Sequence, residues 1–150
     1  MTVTFTLKRA PNYRIASIRW KGPWSDGKIH AQFLKVAHWA NDHRLRTGKW
    51  IFLEPADRTW EVGLEVKGPA KSGGGIRVRT LPACRVASVV YDPSVVSPEV
   101  VYHALNDWTR ARRKDRTIRS VGPSREVYDG DPWTDRKAAA HVDTQYTVRP

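Results

Sequence analysis

The chemistry open to this sequence centres on a few residues in strand-like segments. Glu126 and Tyr128 lie two apart in Arg125-Glu-Val-Tyr128, and Trp50, Phe52 and Glu54 alternate in the same way in Trp50-Ile-Phe-Leu-Glu54. Successive strand side chains point to opposite faces, so each set shares one face of its strand. Trp20 and Tyr91 end two further segments, Arg14-Ile-Ala-Ser-Ile-Arg-Trp20 and Arg85-Val-Ala-Ser-Val-Val-Tyr91. Where those strands converge, a carboxylate stands among Trp20, Trp50, Phe52, Tyr91 and Tyr128. Ring faces of this kind grip a flat molecule, and a desolvated carboxylate beside them attracts positive charge or accepts a hydrogen bond. A planar cation is the natural guest. Glu126 is the sharper candidate, because burial among aromatics raises a carboxyl pKa and makes the group an acid, a base or an ion partner.

A second reading stays open beside this one: the tryptophans are core and the glutamates sit at strand ends in water. Trp39 and Trp108 lie on helix faces that must cover a sheet, so they read as core. Seven tryptophans and five tyrosines against three phenylalanines tilt the set toward amphipathic pocket walls.

Other chemistry finds little support. His30, His38, His43, His103 and His141 are scattered without zinc-like spacing, and no Ser-His-Asp order or phosphate loop is legible. Cys84 is the only cysteine, which excludes an intramolecular disulfide and a thiolate zinc cluster and suits a reducing compartment. Neither a metal nor a cofactor is expected.

The elements that must position these groups follow from periodicity. Val3, Phe5 and Leu7 alternate as a strand, and Arg14 to Trp20 is a second, closed by Gly22-Pro23. From Lys28 to Arg44 the period becomes helical, with Ile29, Phe33, Val36, Ala37 and Ala40 on one face, Ser25 or Asp26 as cap and Gly48 as stop. Trp50–Glu54 and Trp60–Val66 are strands. After the flexible Lys71-Ser-Gly-Gly-Gly75 the order begins again: strands over Ile76–Leu81 and Arg85–Tyr91, then a helix opened by Ser97-Pro98-Glu99 with Val101, Ala104, Leu105 and Trp108 on one side. Arg125–Tyr128 and Val142–Val148 complete the set.

Self-similarity explains this order. Arg14-Ile-Ala-Ser recurs as Arg85-Val-Ala-Ser, 71 positions on. Continuing near that offset pairs Trp20 with Tyr91, Phe33 with Tyr102, Trp39 with Trp108, Glu54 with Glu126 and, after a loop-length change, Glu61 with Asp143. The expected fold is therefore α+β: two pseudo-twofold-related strand-helix-strand-strand repeats, about 1–70 and 75–150, in one antiparallel sheet with helices on one side. The ligand groove lies between the repeats, on the remaining face. At 150 residues a single domain with one core is expected.

The net charge of +11 raises the prospect of an acidic partner, yet the excess is spread thinly except at Arg110, Arg112, Arg113, Lys114, Arg116 and Arg119. That run follows a predicted helix, where it reads first as a solvated face or a complement to the helix's C-terminal dipole, and second as a contact for nucleic acid or protein. Met1 to Ala10 lacks a signal-peptide core and no stretch of about 18 apolar residues occurs, so a cytoplasmic protein without a membrane partner is expected, as monomer or homodimer.

The residues also resemble the GyrI-like family, or AraC-type effector-binding domains, which includes the drug-binding half of the regulator BmrR. The resemblance spans nearly the whole chain. It is carried by Arg14-Ile-Ala-Ser-Ile-Arg-Trp-Lys-Gly-Pro-Trp24, the helix ending in Trp39-Ala, Trp60-Glu-Val-Gly-Leu-Glu-Val66, Leu81-Pro-Ala with Val86-Ala, and Arg125-Glu-Val-Tyr-Asp-Gly-Asp-Pro132. It implies two strand-helix-strand-strand units about a pocket, with Glu126 similar to a pocket glutamate that meets cationic drugs. Two departures stand out: Tyr91-Asp-Pro-Ser94 replaces a second Gly-Pro-aromatic turn, and Asp143 stands where glutamate is usual.

The resemblance implies a free-standing member and three functions. The first is a binder that sequesters hydrophobic, aromatic, often cationic compounds. The second is a hydrolase opening cyclopropane rings of DNA-alkylating natural products, with Glu126 as acid or base and Tyr91 or Tyr128 orienting the electrophile. The third is an interaction module, gyrase-binding for example, using Arg110 to Arg119.

Overall fold

The computed structural model describes residues 3–150; Met1 and Thr2, at the head of the stretch read for a leader sequence, lie outside it. Strands β1 (Thr6–Ala10) and β2 (Tyr13–Lys21) lead into helix α1 (Asp26–Asp42), then β3 (Arg46–Ala56) and β4 (Thr59–Lys67). The order then repeats as β5 (Arg77–Leu81), β6 (Cys84–Tyr91), α2 (Pro98–Lys114), β7 (Ser120–Tyr128), a short α3 (Arg136–Ala139) and β8 (Val142–Arg149).

All eight strands form one antiparallel sheet, in the order β1-β6-β8-β7-β3-β4-β2-β5. The order is symmetric about the β7–β3 junction, as a twofold relation between repeats requires. The outer strands are exchanged: β1 runs into β2 but pairs with β6, and β5 runs into β6 but pairs with β2. This draws the two edges of the sheet toward each other and curls it. Asn12, in the β1–β2 turn, accepts a hydrogen bond from Ala83 N, its counterpart in the other repeat, at 2.6 Å.

The helices carry matched ends. Ser25 accepts from Lys28 N at 3.1 Å and Ser97 from Val100 N at 3.4 Å, each satisfying a free N–H of the first turn. At the other end Arg44 and Arg116 both take left-handed backbone (φ 56° and 61°), and the next residues, Leu45 and Thr117, donate at 2.9 Å to Ala40 O and Arg112 O. This is the Schellman arrangement, made here without glycine. Gly48 therefore does not stop α1. It lies inside β3, where a Cβ would meet Glu65 Oε1, the far end of a flexible side chain that would have to turn aside.

The caps also correct the helix pairing. Ser25 with Ser97 and Arg44 with Arg116 bring Ile29 onto Val101 and Phe33 onto Leu105. Phe33 does not match Tyr102, which is exposed, nor Trp39 Trp108. The basic run is the end of α2 itself rather than a sequel to it, since four of its residues lie at or before Lys114.

Both helices pack on one face of the sheet, over two apolar clusters. The first gathers Ile29, Phe33, Val36 and Ala40 of α1 against Ala16, Ile18, Phe52, Trp60, Val62 and Leu64. The second gathers Val101 and Leu105 of α2 against Phe5, Ala87, Val89, Ile118 and Val148. A smaller cluster, Tyr13, Ile15, Ile51, Leu81 and Val127, fills the curl on the opposite face. No helix among the described residues is long and apolar enough to cross a membrane.

Candidate functional site

The centre of the sheet is the antiparallel pair β3–β7, with Trp50 opposite Tyr128, Ile51 opposite Val127, Phe52 opposite Glu126 and Leu53 opposite Arg125. Phe52 pairs onward with Val62 and thence Ile18, while Glu126 pairs with Thr144 and thence Val89. Since Ile18 and Val89 are repeat-related, so are Phe52 and Glu126. The pseudo-twofold axis thus passes beside a phenylalanine facing a glutamate, and the central carboxylate has an aromatic ring as its symmetry mate. The expected pairing of Glu54 with Glu126 is displaced by this register.

Glu126 points to the helix-bearing face, in the gap between α1 and the start of α2. The groove is on that face and not on the remaining one, because the two helices sit apart over their own halves and leave the β3–β7 floor uncovered. Two cavities meet at Glu126. One, of about 320 Å³, is walled by Trp24, Ile29, Phe33, Phe52, Tyr128 and Trp133, with Asp26 and Pro98 at its ends. The other, of about 330 Å³, lies under the first turns of α2, among Tyr91, Val101, Tyr102, Ser124, Thr144 and Tyr146. A wider cavity of about 760 Å³ adjoins the first across Tyr128 and Trp133.

Burial pushes the Glu126 carboxyl above its usual range, against the opposing pull of the hydrogen bond that Tyr128 Oη donates to Glu126 Oε2. The surrounding phenols rise too. Burial and then the Glu126 charge raise Tyr91 and Tyr128, and Tyr146 is pushed up to about 12 for the same two reasons. All three tyrosines stay protonated at neutral pH, and Tyr128 is the one that donates to Glu126. A neutral carboxyl can give a proton here; an ionised one is short of solvation and calls for a cation.

The aromatic walls are fixed by packing. Trp24 meets Phe52 and Trp60 edge-on, at centroid distances of 5.7 and 5.4 Å and near-perpendicular planes. Phe33 stacks on Trp50 at 5.0 Å. Trp133 lies over the His30 ring at 4.5 Å with 12° between planes, and His30 Nε2 is 3.3 Å from Asp131 Oδ2. Asp131 Oδ1 also accepts from Trp133 N at 2.9 Å, an Asx turn that aims the indole at the cleft.

Of the residues marked in the sequence, Glu126, Tyr128, Tyr91 and Phe52 therefore converge on these cavities. Trp20 and Trp50 pack against the α1 cluster and line neither cleft. Glu54 lies by the bulge of β3 and lines a separate cavity with Leu53, Glu61 and Arg125. Trp24, Trp133 and Asp26 were not marked as site residues. For the first two the signal was the turn chemistry beside them, Gly22-Pro23-Trp24 and Asp131-Pro132-Trp133, which puts an indole in the loop that follows a strand. Trp24 is 58% exposed and Trp133 42%, unusual for tryptophan without a partner. Among the described residues no group of three or more His, Cys, Asp or Glu is placed to hold a metal ion.

The family model of the GyrI-like small molecule binding domain matches residues 4–149. Among solved structures, the chain is similar to EcmrR in its DNA complex, at a TM-score of 0.75 and 19% identity over 98% of this chain, and spans 57% of that chain. The crystal structure of the EcmrR C-terminal domain matches at a TM-score of 0.69 and 18% identity, over 99% of both chains. SAV2435 bound to tetraphenylphosphonium matches at 0.52 and 9% identity, over 97% of this chain and 93% of that one. No curated protein sequence matches significantly.

Proposed function

The chain belongs to the GyrI-like small molecule binding domain family, and on that premise we propose that its cleft holds a flat, hydrophobic, aromatic compound carrying positive charge and keeps it out of solution, a sequestration or resistance role. The observation that carries this reading is Glu126: a carboxylate deprived of water at the pseudo-twofold axis, walled by Trp24, Phe52, Tyr128 and Trp133. A cation with ring surfaces restores the lost solvation of Glu126 and stacks on the walls at once. Tyr91 and Tyr146 extend the site under α2. A delocalised lipophilic cation has this character, and SAV2435 was solved with tetraphenylphosphonium.

Tryptophan fluorescence during titration with planar cationic dyes and neutral isosteres tests the proposal. Wild type should prefer the cation, and Glu126→Gln should lose that preference while keeping affinity for the neutral dye. Equal cation affinity in both proteins overturns it. Binding also carries a pH signature. The Glu126 pKa is raised, so a cation binding its ionised form displaces a proton, and cation affinity climbs as pH rises through that raised value. Neutral dyes give no such climb.

A hydrolase reading is favoured by one observation, the Tyr128–Glu126 hydrogen bond to a carboxyl whose pKa burial raises, which is the arrangement of a general acid with a fixed orientation. Incubation with cyclopropane-bearing alkylators, followed by mass spectrometry, separates the two: a hydrolase returns a product heavier by one water, a binder the unchanged compound. The basic end of α2 stands as a third route, to nucleic acid or protein. Arg112 there is engaged by Asp115 at 3.2 Å and lies 5.6 Å from the Trp108 ring centroid, which supports a self-contained helix end.

A further inference from the structure

Behind Glu126, on the opposite face of the sheet, its chain neighbour Arg125 is only 8% exposed. Its Nε donates to Gln145 Oε1 at 2.8 Å, its Nη2 to Cys84 Sγ at 3.6 Å, and its guanidinium lies 5.9 Å from the Tyr13 ring centroid. Each of these partners is neutral or a ring face. Among the described residues no carboxylate lies within ion-pairing distance of Arg125. Gln145 stands between it and Asp143, to which it donates at 3.0 Å, and Asp143 is already taken by Lys8 and Ser88.

A buried cation without a counter-charge is costly, so it needs a reason. The scaffold does not supply one. Arg125 pairs with Gln145 and thence Ser88, while Ile51 pairs with Gly63 and thence Ser17, so Ile51 is the repeat-related position. In that half the same site is satisfied by an aliphatic side chain with no exposure at all. Arg125 also opens on a cavity of about 280 Å³ whose walls are largely apolar: Leu53, Pro55, Leu81, Pro82 and Pro123.

From this geometry we propose that Arg125 anchors a second ligand site, on the face away from the helices, for a small organic carboxylate with an apolar body. The guanidinium fork suits a carboxylate, which accepts two parallel N–H bonds. The surrounding charges set the valence. Glu61 lies within the same cavity but is engaged by Ser17, Arg19 and Arg79, and Glu54 stands at the wall. Arg19, Arg79 and Arg125 against Glu54 and Glu61 leave a single positive charge unmatched, enough for a monoanion and poorly suited to a phosphate dianion. The proline and leucine walls select an apolar body over a fully solvated one.

The probe is sodium benzoate, titrated into the full chain at constant ionic strength against sodium chloride, with thermal unfolding and ¹H–¹⁵N NMR as readouts. Wild type should gain a saturable rise in Tm over the chloride control, as any ligand of the native state gives. The resonances of Arg125 Nε–H, Leu53, Leu81 and Cys84 should shift together. Arg125→Gln should weaken benzoate roughly tenfold or more, while Glu126→Gln, on the other face, should leave it unchanged. Benzoate stabilising Arg125→Gln as well as wild type overturns the proposal, as does a wild type with no effect beyond chloride. Inorganic phosphate binding tighter than benzoate overturns the carboxylate assignment. Should Arg125→Gln fail to fold, the wild-type NMR decides alone: saturable shifts confined to these four residues support the site, and shifts elsewhere or none refute it.

Discussion

The two repeats share a plan and differ in how tightly they close it. Helices α1 and α2 have 17 residues each and equivalent ends, yet α1 buries Ile29, Phe33, Val36 and Ala40 whereas α2 buries only Val101 and Leu105. The cavity beside the start of α1 is walled by apolar rings and Ile29, with Phe33 stacked on Trp50 behind it; the cavity under the start of α2 is ringed by the phenols Tyr91, Tyr102 and Tyr146. The central position reads phenylalanine in one half and glutamate in the other. Duplication therefore supplied the frame, and divergence made one half a wall and the other the side that carries titratable groups.

What did not diverge is equally instructive. Ser17 donates to Glu61 at 2.7 Å, and Arg79 of the exchanged strand β5 meets the same carboxylate at 2.7 Å. In the other half Ser88 donates to Asp143 at 2.5 Å, and Lys8 of the exchanged strand β1 meets it at 2.9 Å. Each serine–carboxylate–cation strut ties an exchanged strand to the opposite repeat. Asp143, one methylene shorter than its repeat mate Glu61, keeps this role.

Breaking a strut is the largest effect expected. Glu61 is 1% exposed and holds two arginines, so Glu61→Ala should cost about 3–5 kcal/mol in denaturant unfolding. Asp143→Ala, at a position open enough for water to replace the contact, should cost about 1–3 kcal/mol. Equal costs would refute the contrast between the halves. Burial pushes both carboxyls up, but hydrogen bonds outweigh it and hold them below their usual range: Arg79, Ser17 and Arg19 for Glu61, Ser88, Lys8 and Gln145 for Asp143. Their stabilisation is thus present above the ordinary carboxylate pKa and is lost as pH falls through the lowered values.

The helix contrast comes next. Phe33→Ala should cost about 3–5 kcal/mol and its counterpart Leu105→Ala about 2–3 kcal/mol, since the larger aromatic side chain loses more packing. Glu126 gives a pH test of opposite sign to the struts. Its raised pKa makes the fold more stable below the ordinary carboxylate range and less so as pH rises through the raised value. Glu126→Gln should flatten that slope, read by Tm between pH 4 and pH 9, numbers of about that span covering the carboxylate titration. The smallest expected effect is Trp133→Ala: stability nearly unchanged, and affinity for an aromatic cation lower by roughly several-fold through loss of one stacking face.

Much of the frame was legible because it is local. Ser97-Pro98-Glu99 marked a helix start through backbone donors within one turn, and Arg14-Ile-Ala-Ser with Arg85-Val-Ala-Ser marked equivalent strands through alternation. The matching of Glu61 with Asp143 was also readable, and the paired struts give it meaning. The helix pairing failed by about one turn because an indole at Trp39 and another at Trp108 look alike in sequence, while the caps that set the phase are single serines. The sheet centre failed for a related reason. In an unbroken strand Trp50, Phe52 and Glu54 share a face at any register; only the hydrogen bonds to β7 decide which of them meets Glu126, and the bulge after Leu53 takes Glu54 to the cavity on the other face.

By itself, then, the sequence determined which segments are strands and helices, that they come in two sets, and that Glu126 and Tyr128 share a face, because periodicity and capping act over a few residues. The tertiary structure decided that β1 and β5 change partners, that Phe52 is the mirror of Glu126, that Trp24 and Trp133 close the cleft, and that Arg125 is left buried behind it. Those outcomes depend on register between segments tens of residues apart and on bulges within them, and a strand's alternation is identical however it is slid by two.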